Sequence, residues 1–148
     1  ADIVPHTING ITELRDVMPT LLDLCGLQIP DTVDGCSLKG CILQEAESVR
    51  SYLHGEHSFH DKLSNHYIVT QQDKFIWYSE TGEEQYFDLS RDPQETHNAI
   101  LDEEYQSRIS ELRGILIQTL ENREEGFSDG TRLICRKAQD ILQNVHDY

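Results

Sequence analysis

The side chains best suited to chemistry are concentrated in one short segment, His54-Gly55-Glu56-His57, with His60 and His66 nearby. A pair of imidazoles and a carboxylate could bind a transition metal, line a substrate pocket, or make structural hydrogen bonds. The spacing differs from the H-E-x-x-H of helical zinc proteases. The segment is predicted to be a strand, in which side chains alternate between faces, so at most two of its polar side chains share one face. All three roles stay open on the residue pattern alone.

Other catalytic motifs are missing from the sequence. It contains no nucleophile elbow, P-loop or dinucleotide-binding fingerprint, and no recognisable triad order. Its cysteines form no C-x-x-C pair and have no matching cluster that would complete a zinc site: Cys25, Cys36, Cys41 and Cys135. We expect four free thiols, two or three of them buried, in a reducing compartment, which favours the cytoplasm. A disulfide between Cys36 and Cys41 is the alternative. No catalytic residue and no metal ligand is assigned.

The chain is strongly acidic. Its 148 residues, enough for one domain of average size, include 27 acidic and 12 basic residues, for a net charge of −15. This excess argues against nucleic acid and against an anionic membrane surface, because both are bound through clustered Lys and Arg. No apolar run approaches the roughly 20 residues that span a bilayer. Residues 1–6 lack the regions of a signal peptide and an initiator Met, so we expect an internal boundary there.

A helix is predicted over residues 14–25. Asp16 is its candidate N-cap, and Pro19 falls in the first turn, where a missing N–H is tolerated. Gly26 supplies a C-terminal stop. The spacing of the apolar residues gives the helix one apolar face, formed by Val17, Leu21 and Leu24.

The remaining segments predict an antiparallel sheet followed by helices. Residues 28–41 are predicted to be loop and 42–48 a short helix. Strands are predicted at 51–57, 66–70, 74–78 and 84–89, with a hairpin turn at Thr81-Gly82. Residues 103–123 form an amphipathic helix, whose apolar stripe comprises Tyr105, Ile109, Leu112, Leu116 and Leu120. A last helix is predicted over 132–145.

Two blocks of sequence resemble sulfatases, and bacterial arylsulfatases in particular. Residues 16–27, with Pro30 and residues 34–38, are similar to the family's D-x-M-P-T-L-L-D-L-A-G, then P, then D-G-x-S-L. Residues 74–98 are similar to its C-terminal K-Y-x-W-Y, G-x-E-Q-L-F-D-L and D-P-x-E-x-x-N. Between the two blocks, residues 50–57 match the family's R-x-Y-x-H-G-E-H.

The resemblance implies an α+β fold, with a four-stranded antiparallel sheet packed by a long C-terminal helix. This would be the C-terminal subdomain of a sulfatase, in residues 49–125. Residues 1–48 would be the tail end of the large, alkaline-phosphatase-like α/β domain, which contributes the leading helix. Residues 126–148 would be a C-terminal helical extension.

The resemblance also implies a chemistry whose central groups lie elsewhere. Sulfatases attack sulfur with a formylglycine made from Cys or Ser in a C-x-P-x-R-type motif, assisted by a calcium ion held by Asp and Asn. Neither motif occurs in this sequence. We therefore expect a fragment of a sulfuric ester hydrolase that is inactive alone and supports the fold. By resemblance, its partners are the rest of the sulfatase chain and a sulfate ester, and its pocket-lining residues are His54, Glu56 and His57.

Two other functions are kept open. The chain could be a non-catalytic binding or oligomerisation module derived from a sulfatase tail, or an autonomous metal hydrolase that uses the histidine cluster. The exposed face of the helix over 14–25 would favour self-association in the absence of a large domain.

Overall fold

A computed structural model describes residues 4–59 and 62–136, with backbone only at 58, 59, 62 and 63. Contacts divide the chain into two compact units, Ala1–Leu53 and His54–Tyr148. We describe each unit separately. The sequence-based divisions after residues 48 and 125 stay predictions.

The first unit contains the predicted leading helix. A 3₁₀ turn, Leu14–Asp16, leads directly into helix α1, Val17–Leu24. Gly26 adopts a φ of 71°, the left-handed conformation that ends a helix at little cost in glycine. The predicted leading helix is therefore confirmed, with Pro19 in its first turn and Gly26 at its C-terminal end.

The second helix of this unit lies earlier than predicted. Helix α2 spans Lys39–Ile42, whereas the sequence indicated 42–48. Gln44 has a φ of 61°, and the backbone N–H groups of Glu45 and Ala46 both donate to the Gly40 carbonyl. These bonds close the helix at its C-terminus, so the backbone cannot continue helically through 48.

Asp16 has a different role from the predicted N-cap. Its side chain is fully buried and makes no capping hydrogen bond to α1. Each of its two carboxylate oxygens accepts a hydrogen bond from one guanidinium nitrogen of Arg50, at 2.5 and 2.6 Å. The backbone N–H groups of Glu13 and Cys36 also donate to it, at 2.9 and 2.8 Å. The Arg50 contact is the main reason that the pKa of Asp16 falls from 3.8 to about 2.

The second unit is built on a four-stranded sheet. The strands are β1, Leu53–Phe59; β2, Lys62–Val69; β3, Asp73–Tyr78; and β4, Glu84–Asp88, in the order β1-β2-β3-β4. The β2–β3 and β3–β4 pairs are antiparallel, and they align Ile68 with Phe75 and Phe75 with Tyr86. The predicted turn joins β3 to β4, with Gly82 at a φ of 74°.

Helix α3, Gln106–Leu120, follows a 3₁₀ turn at Glu103–Tyr105 and covers one face of this sheet. Four members of the predicted apolar stripe are fully buried, Ile109, Leu112, Leu116 and Leu120, while Tyr105 lies in the 3₁₀ turn and is half-buried. The sheet contributes the facing side chains of Ile68, Phe75, Trp77 and Tyr86. Each such burial stabilises the fold by roughly 2 kcal/mol. Strand alternation turns Phe87 to the other face. The predicted α+β fold is confirmed.

Two ion pairs fix α3 on the sheet. Arg108 on the helix pairs with the buried Asp73 of β3, with Nε 2.7 Å from Oδ2. Arg113, five residues further along the helix, pairs with Glu84 of β4 at 2.6 Å. Because each pair joins a fixed position on the helix to one on a strand, the pairs add direction to non-directional apolar packing.

The predicted helix over 132–145 is not formed in its described part. Residues 132–136 are irregular, and Ser128 and Leu133 form an isolated bridge. The backbone N–H groups of Ile134 and Arg136 donate to Phe127 and Ser79 instead of to a helix turn. Tertiary hydrogen bonds therefore override the local pattern, and residues 137–145 lie outside the described range.

All four cysteines fall within the described residues and are free thiols, as predicted. Only Cys41 is buried, however, while Cys36 is half-buried and Cys25 and Cys135 are exposed. The expectation of two or three buried thiols is therefore wrong. None of the described helices is long and apolar enough to cross a bilayer.

We predict that Asp16→Asn destabilises the chain by about 3 kcal/mol at neutral pH, because it leaves Arg50 without its main partner. A carboxyl group whose pKa is lower in the folded than in the unfolded chain stabilises the fold at pH values above its unfolded pKa. This stabilisation is lost as the pH falls through the folded pKa. The difference between wild type and variant should therefore shrink between about pH 4 and pH 2. Urea unfolding at neutral pH and at about pH 3 measures this. Asp31→Asn, an exposed charge-matched control, should change little, and a pH-independent difference for Asp16→Asn contradicts the assignment.

Gly55 yields a second prediction. A Cβ at this position would overlap the Tyr67 ring, so Gly55→Ala should cost about 1–3 kcal/mol through overpacking. Gly114 in α3 is the matched control, since a Cβ there meets nothing within 4 Å. Gly114→Ala should stabilise by about 0.5–1 kcal/mol through helix propensity. Chemical denaturation of both variants measures the two changes in unfolding free energy, which should have opposite signs. Equal changes would contradict the close approach of Tyr67 to Gly55.

Candidate functional site

The polar segment singled out in the sequence forms part of β1, at one edge of the sheet. His54 and Glu56 are two residues apart, so their side chains leave the same face of the strand. His66 on the neighbouring strand β2 lies beside them. We call these three residues the His54–Glu56–His66 cluster.

The reactive atoms of this cluster are close together. The Nε2 of His54 lies 3.4 Å from the Nδ1 of His66, and the two rings meet edge to edge, with centroids 5.6 Å apart and planes 4° from parallel. The same Nδ1 lies 3.6 Å from the Oε2 of Glu56. One donor atom from each side chain falls within 4.8 Å of the other two. Two ring nitrogens and a carboxylate oxygen thus converge on one point.

His66 is the buried member of the cluster. Its ring is 3% exposed and contacts Phe127 and Trp77, with centroids 5.0 and 6.0 Å away. This burial, reinforced by the neighbouring His54, lowers the pKa of His66 to about 4. The imidazole is therefore neutral near pH 7 and keeps a lone pair. Its Nε2 makes no hydrogen bond with the described residues, so its polar contacts are made through Nδ1.

Glu56 is the exposed member, and Arg123 controls its charge. The Nη1 of Arg123 lies 2.8 Å from the Oε2 of Glu56, while its Nη2 lies 2.6 Å from Glu125. Partial burial opposes the charged form of Glu56, but the Arg123 contact outweighs it and lowers the pKa of Glu56. The cluster therefore presents a carboxylate anion beside two imidazoles.

The structure brings together two of the three residues predicted to line a pocket, His54 and Glu56. His57 is exposed at the alternating position of β1 and is not part of the cluster. His60 lies outside the described residues. Sequence reasoning noted His66 but did not include it among the site residues, and it missed Arg123. A usable signal existed for His66, since it begins the predicted strand that follows the strand of His54 and Glu56 along the chain.

A polar depression lies beside the start of α3, but its charges pair with one another. Arg91 contacts Glu104 at 3.1 Å, His97 contacts Asp102 at 3.2 Å, and the hydroxyl of Tyr105 donates to Asp88 at 3.0 Å. These contacts join the loop after β4 to the start of α3. We assign this region a structural role.

Comparison with known proteins identifies the family. Residues 5–122 match the family described as N-sulphoglucosamine sulphohydrolase, C-terminal. An arylsulfatase of Clostridium perfringens is 57% identical over 137 residues, which cover 93% of this chain and 28% of the relative. An N-acetylglucosamine-6-O-sulfatase of Bacteroides thetaiotaomicron is 28% identical, over 92% of this chain and 26% of that protein.

The fold leads to the same family. A solved 2-O GAG sulfatase superposes with a TM-score of 0.65 and 28% identity, covering 71% of this chain and 24% of its own. The chain thus spans about a quarter of the length of the curated relatives it matches. With a family match over most of its length, the chain belongs to the N-sulphoglucosamine sulphohydrolase C-terminal family, the C-terminal domain of sulfatases.

Proposed function

We propose that this chain works as the C-terminal part of a sulfatase that hydrolyses sulfate esters, supporting the enzyme's fold and lining its substrate pocket with His54, Glu56 and His57. The observation that carries the proposal is the position of these residues on β1, an edge strand of the sheet. An edge strand can be approached from both faces and along its open side. One substrate could therefore reach side chains that alternate on the strand.

Exposure supports this role. The Glu56 side chain is 51% exposed, and His57 is exposed as well, so both can meet a ligand. The buried His66 contacts the ring of His54 through a nitrogen of each ring, 3.4 Å apart, and this contact restricts the His54 ring. A side chain that is already restricted loses less conformational entropy when a ligand binds. The contact with His66 therefore favours a role for His54 in lining a pocket.

The charges indicate which part of a substrate this wall would contact. The sulfate group is anionic, and the ionised Glu56 would repel it. Glu56 would instead accept hydrogen bonds from hydroxyl groups on the alcohol part of the ester, and the imidazoles can donate or accept. We therefore assign the His54, Glu56 and His57 side chains to leaving-group recognition and not to the attack on sulfur.

The central groups of the sulfatase reaction do not fit the residues of this chain. Calcium takes six to eight oxygen ligands, whereas the His54–Glu56–His66 cluster offers two ring nitrogens and one carboxylate. None of the four cysteines is followed by x-P-x-R, the context in which a formylglycine is made. A calcium ion and a formylglycine would thus be supplied by the rest of a sulfatase chain, and we infer that this chain is inactive alone.

The apolar face of the first unit supports the other half of the proposal. Large apolar side chains on and near α1 are exposed, among them Val17, Met18, Leu21 and Leu24, at 53, 48, 59 and 40%. Monomeric proteins seldom leave such a contiguous patch uncovered. We infer that the rest of a sulfatase chain covers this face.

A chimera tests the pocket role. In it, this chain replaces the matching segment of the Clostridium perfringens arylsulfatase, whose sequence is 57% identical. We expect turnover of an aryl sulfate whose ring carries a free hydroxyl group, and we expect Glu56→Gln and His57→Ala each to lower kcat/KM about tenfold, because each removes one hydrogen bond to the leaving group.

The control for the chimera is His97→Ala, an exposed histidine away from β1, which should leave kcat/KM unchanged. Normal kcat/KM in both β1 variants would contradict a pocket role. Aryl sulfate turnover by the isolated chain that is lost on His57→Ala would overturn the inference that it is inactive alone.

Light scattering tests the apolar face. Without a sulfatase large domain, the isolated chain should self-associate through α1 as its concentration rises. Leu21→Lys should restore the monomer by placing a charge on the face. Leu101→Lys is the matched control, since Leu101 is 86% exposed in the second unit, and it should associate like the wild type. A strict monomer at high concentration would count against the apolar interface.

A further inference from the structure

We propose that the His54–Glu56–His66 cluster is a binding site for a first-row divalent transition metal, Zn²⁺ in the first instance, separate from the calcium chemistry of sulfatases. The proposal rests on the donor atoms of this chain alone, so it holds or fails independently of the proposed pocket role.

The donor spacing fits a tetrahedral ion. With bonds of about 2.0–2.1 Å, two ligand atoms on a tetrahedral zinc lie about 3.3 Å apart. The two imidazole nitrogens are separated by 3.4 Å and the nearer nitrogen–carboxylate pair by 3.6 Å. The long edge of the triangle, up to 4.8 Å, runs between His54 and Glu56. Glu56 is half-exposed, so a rotation of its side chain can shorten that edge.

The protonation states suit a metal. A metal ligand must offer a lone pair, so a histidine must be neutral and a carboxylate ionised. The His66 ring is buried beside Trp77 and Phe127, which disfavours a charged imidazole, and Arg123 contacts the Glu56 carboxylate at 2.8 Å, which favours its charged form. Because Nδ1 is the nitrogen of His66 with polar neighbours, it is the ligand atom.

The surroundings can compensate the positive charge of an ion. Arg123 is shared between Glu56 and Glu125, so the immediate environment has two carboxylates for one guanidinium. Arg123 contacts the same Oε2 of Glu56 that faces His66, so this oxygen would use one lone pair for the guanidinium and the other for the metal. Hydrogen bonds of this kind orient a ligating carboxylate.

The donor set selects the class of metal. Two imidazoles and one carboxylate suit Zn²⁺ and its neighbours, whereas Ca²⁺ and Mg²⁺ require an oxygen cage. Three protein ligands leave one tetrahedral position for water or for an oxygen of a bound molecule. A purely structural alternative exists, in which His54 bonds to His66 while Glu56 pairs only with Arg123.

Calorimetric titration of the 148-residue chain with Zn²⁺ separates the two possibilities. The exposed Cys25 and Cys135 are first replaced by Ser, because thiolates bind zinc. We expect one ion per chain, with at least tenfold weaker binding in His54→Gln and in Glu56→Gln. His97→Gln, which changes an exposed histidine of the same unit, should bind like its parent. Circular dichroism confirms that each variant is folded.

Cobalt provides a second readout. Co²⁺ in the site should show the intense visible absorption of a tetrahedral ion, and it should lose this band in His54→Gln and Glu56→Gln. The proposal is overturned by the lack of stoichiometric zinc binding, or by affinities in folded His54→Gln and Glu56→Gln that equal the parent's. Neither result bears on the chimera's kcat/KM, so failure here leaves the pocket role standing.

Discussion

Burial of one face of the sheet beneath α3 is the constraint on which the second unit depends. The apolar stripe of α3 can be covered only by the alternating side chains of β2, β3 and β4, and this fixes the register of each strand. A one-residue slip would turn Trp77 to solvent. The same register holds His66 opposite Trp77 and beside His54 and Glu56. The candidate site is therefore positioned by apolar packing, and its own polar contacts refine that position.

The same burial gives the site its chemical character. An imidazole packed against Trp77 and Phe127 cannot readily take up a proton, so it stays neutral while the neighbouring Glu56 stays charged. Such a pair can recognise hydroxyl groups or hold a metal ion, but it repels a sulfate anion. This division of roles supports the proposal that the domain contributes to a substrate pocket while the groups that attack sulfur lie on other parts of the enzyme.

Features set by local pattern could be predicted from the sequence. The spacing of Ile109 to Leu120 predicts α3, and the β-branched and aromatic runs predict the strands, because period and composition are read residue by residue. Features that depend on contacts between residues distant in the sequence could not be predicted in this way. The left-handed Gln44 that ends α2, the pairing of Asp16 with Arg50, and the bond from Arg136 to Ser79 all depend on tertiary neighbours. His66 is intermediate, since its position on the strand after that of His54 could be predicted but its burial could not.

The central claim is that the edge strand β1 faces a substrate in a complete sulfatase. The most direct measurement is a crystal structure of the chimeric arylsulfatase with its nucleophile inactivated and a sulfate ester bound. The account predicts that at least one of His54, Glu56 and His57 makes a hydrogen bond of about 3 Å to the alcohol part of the ester and none to the sulfate. A bound ester with β1 facing away from it would contradict the account.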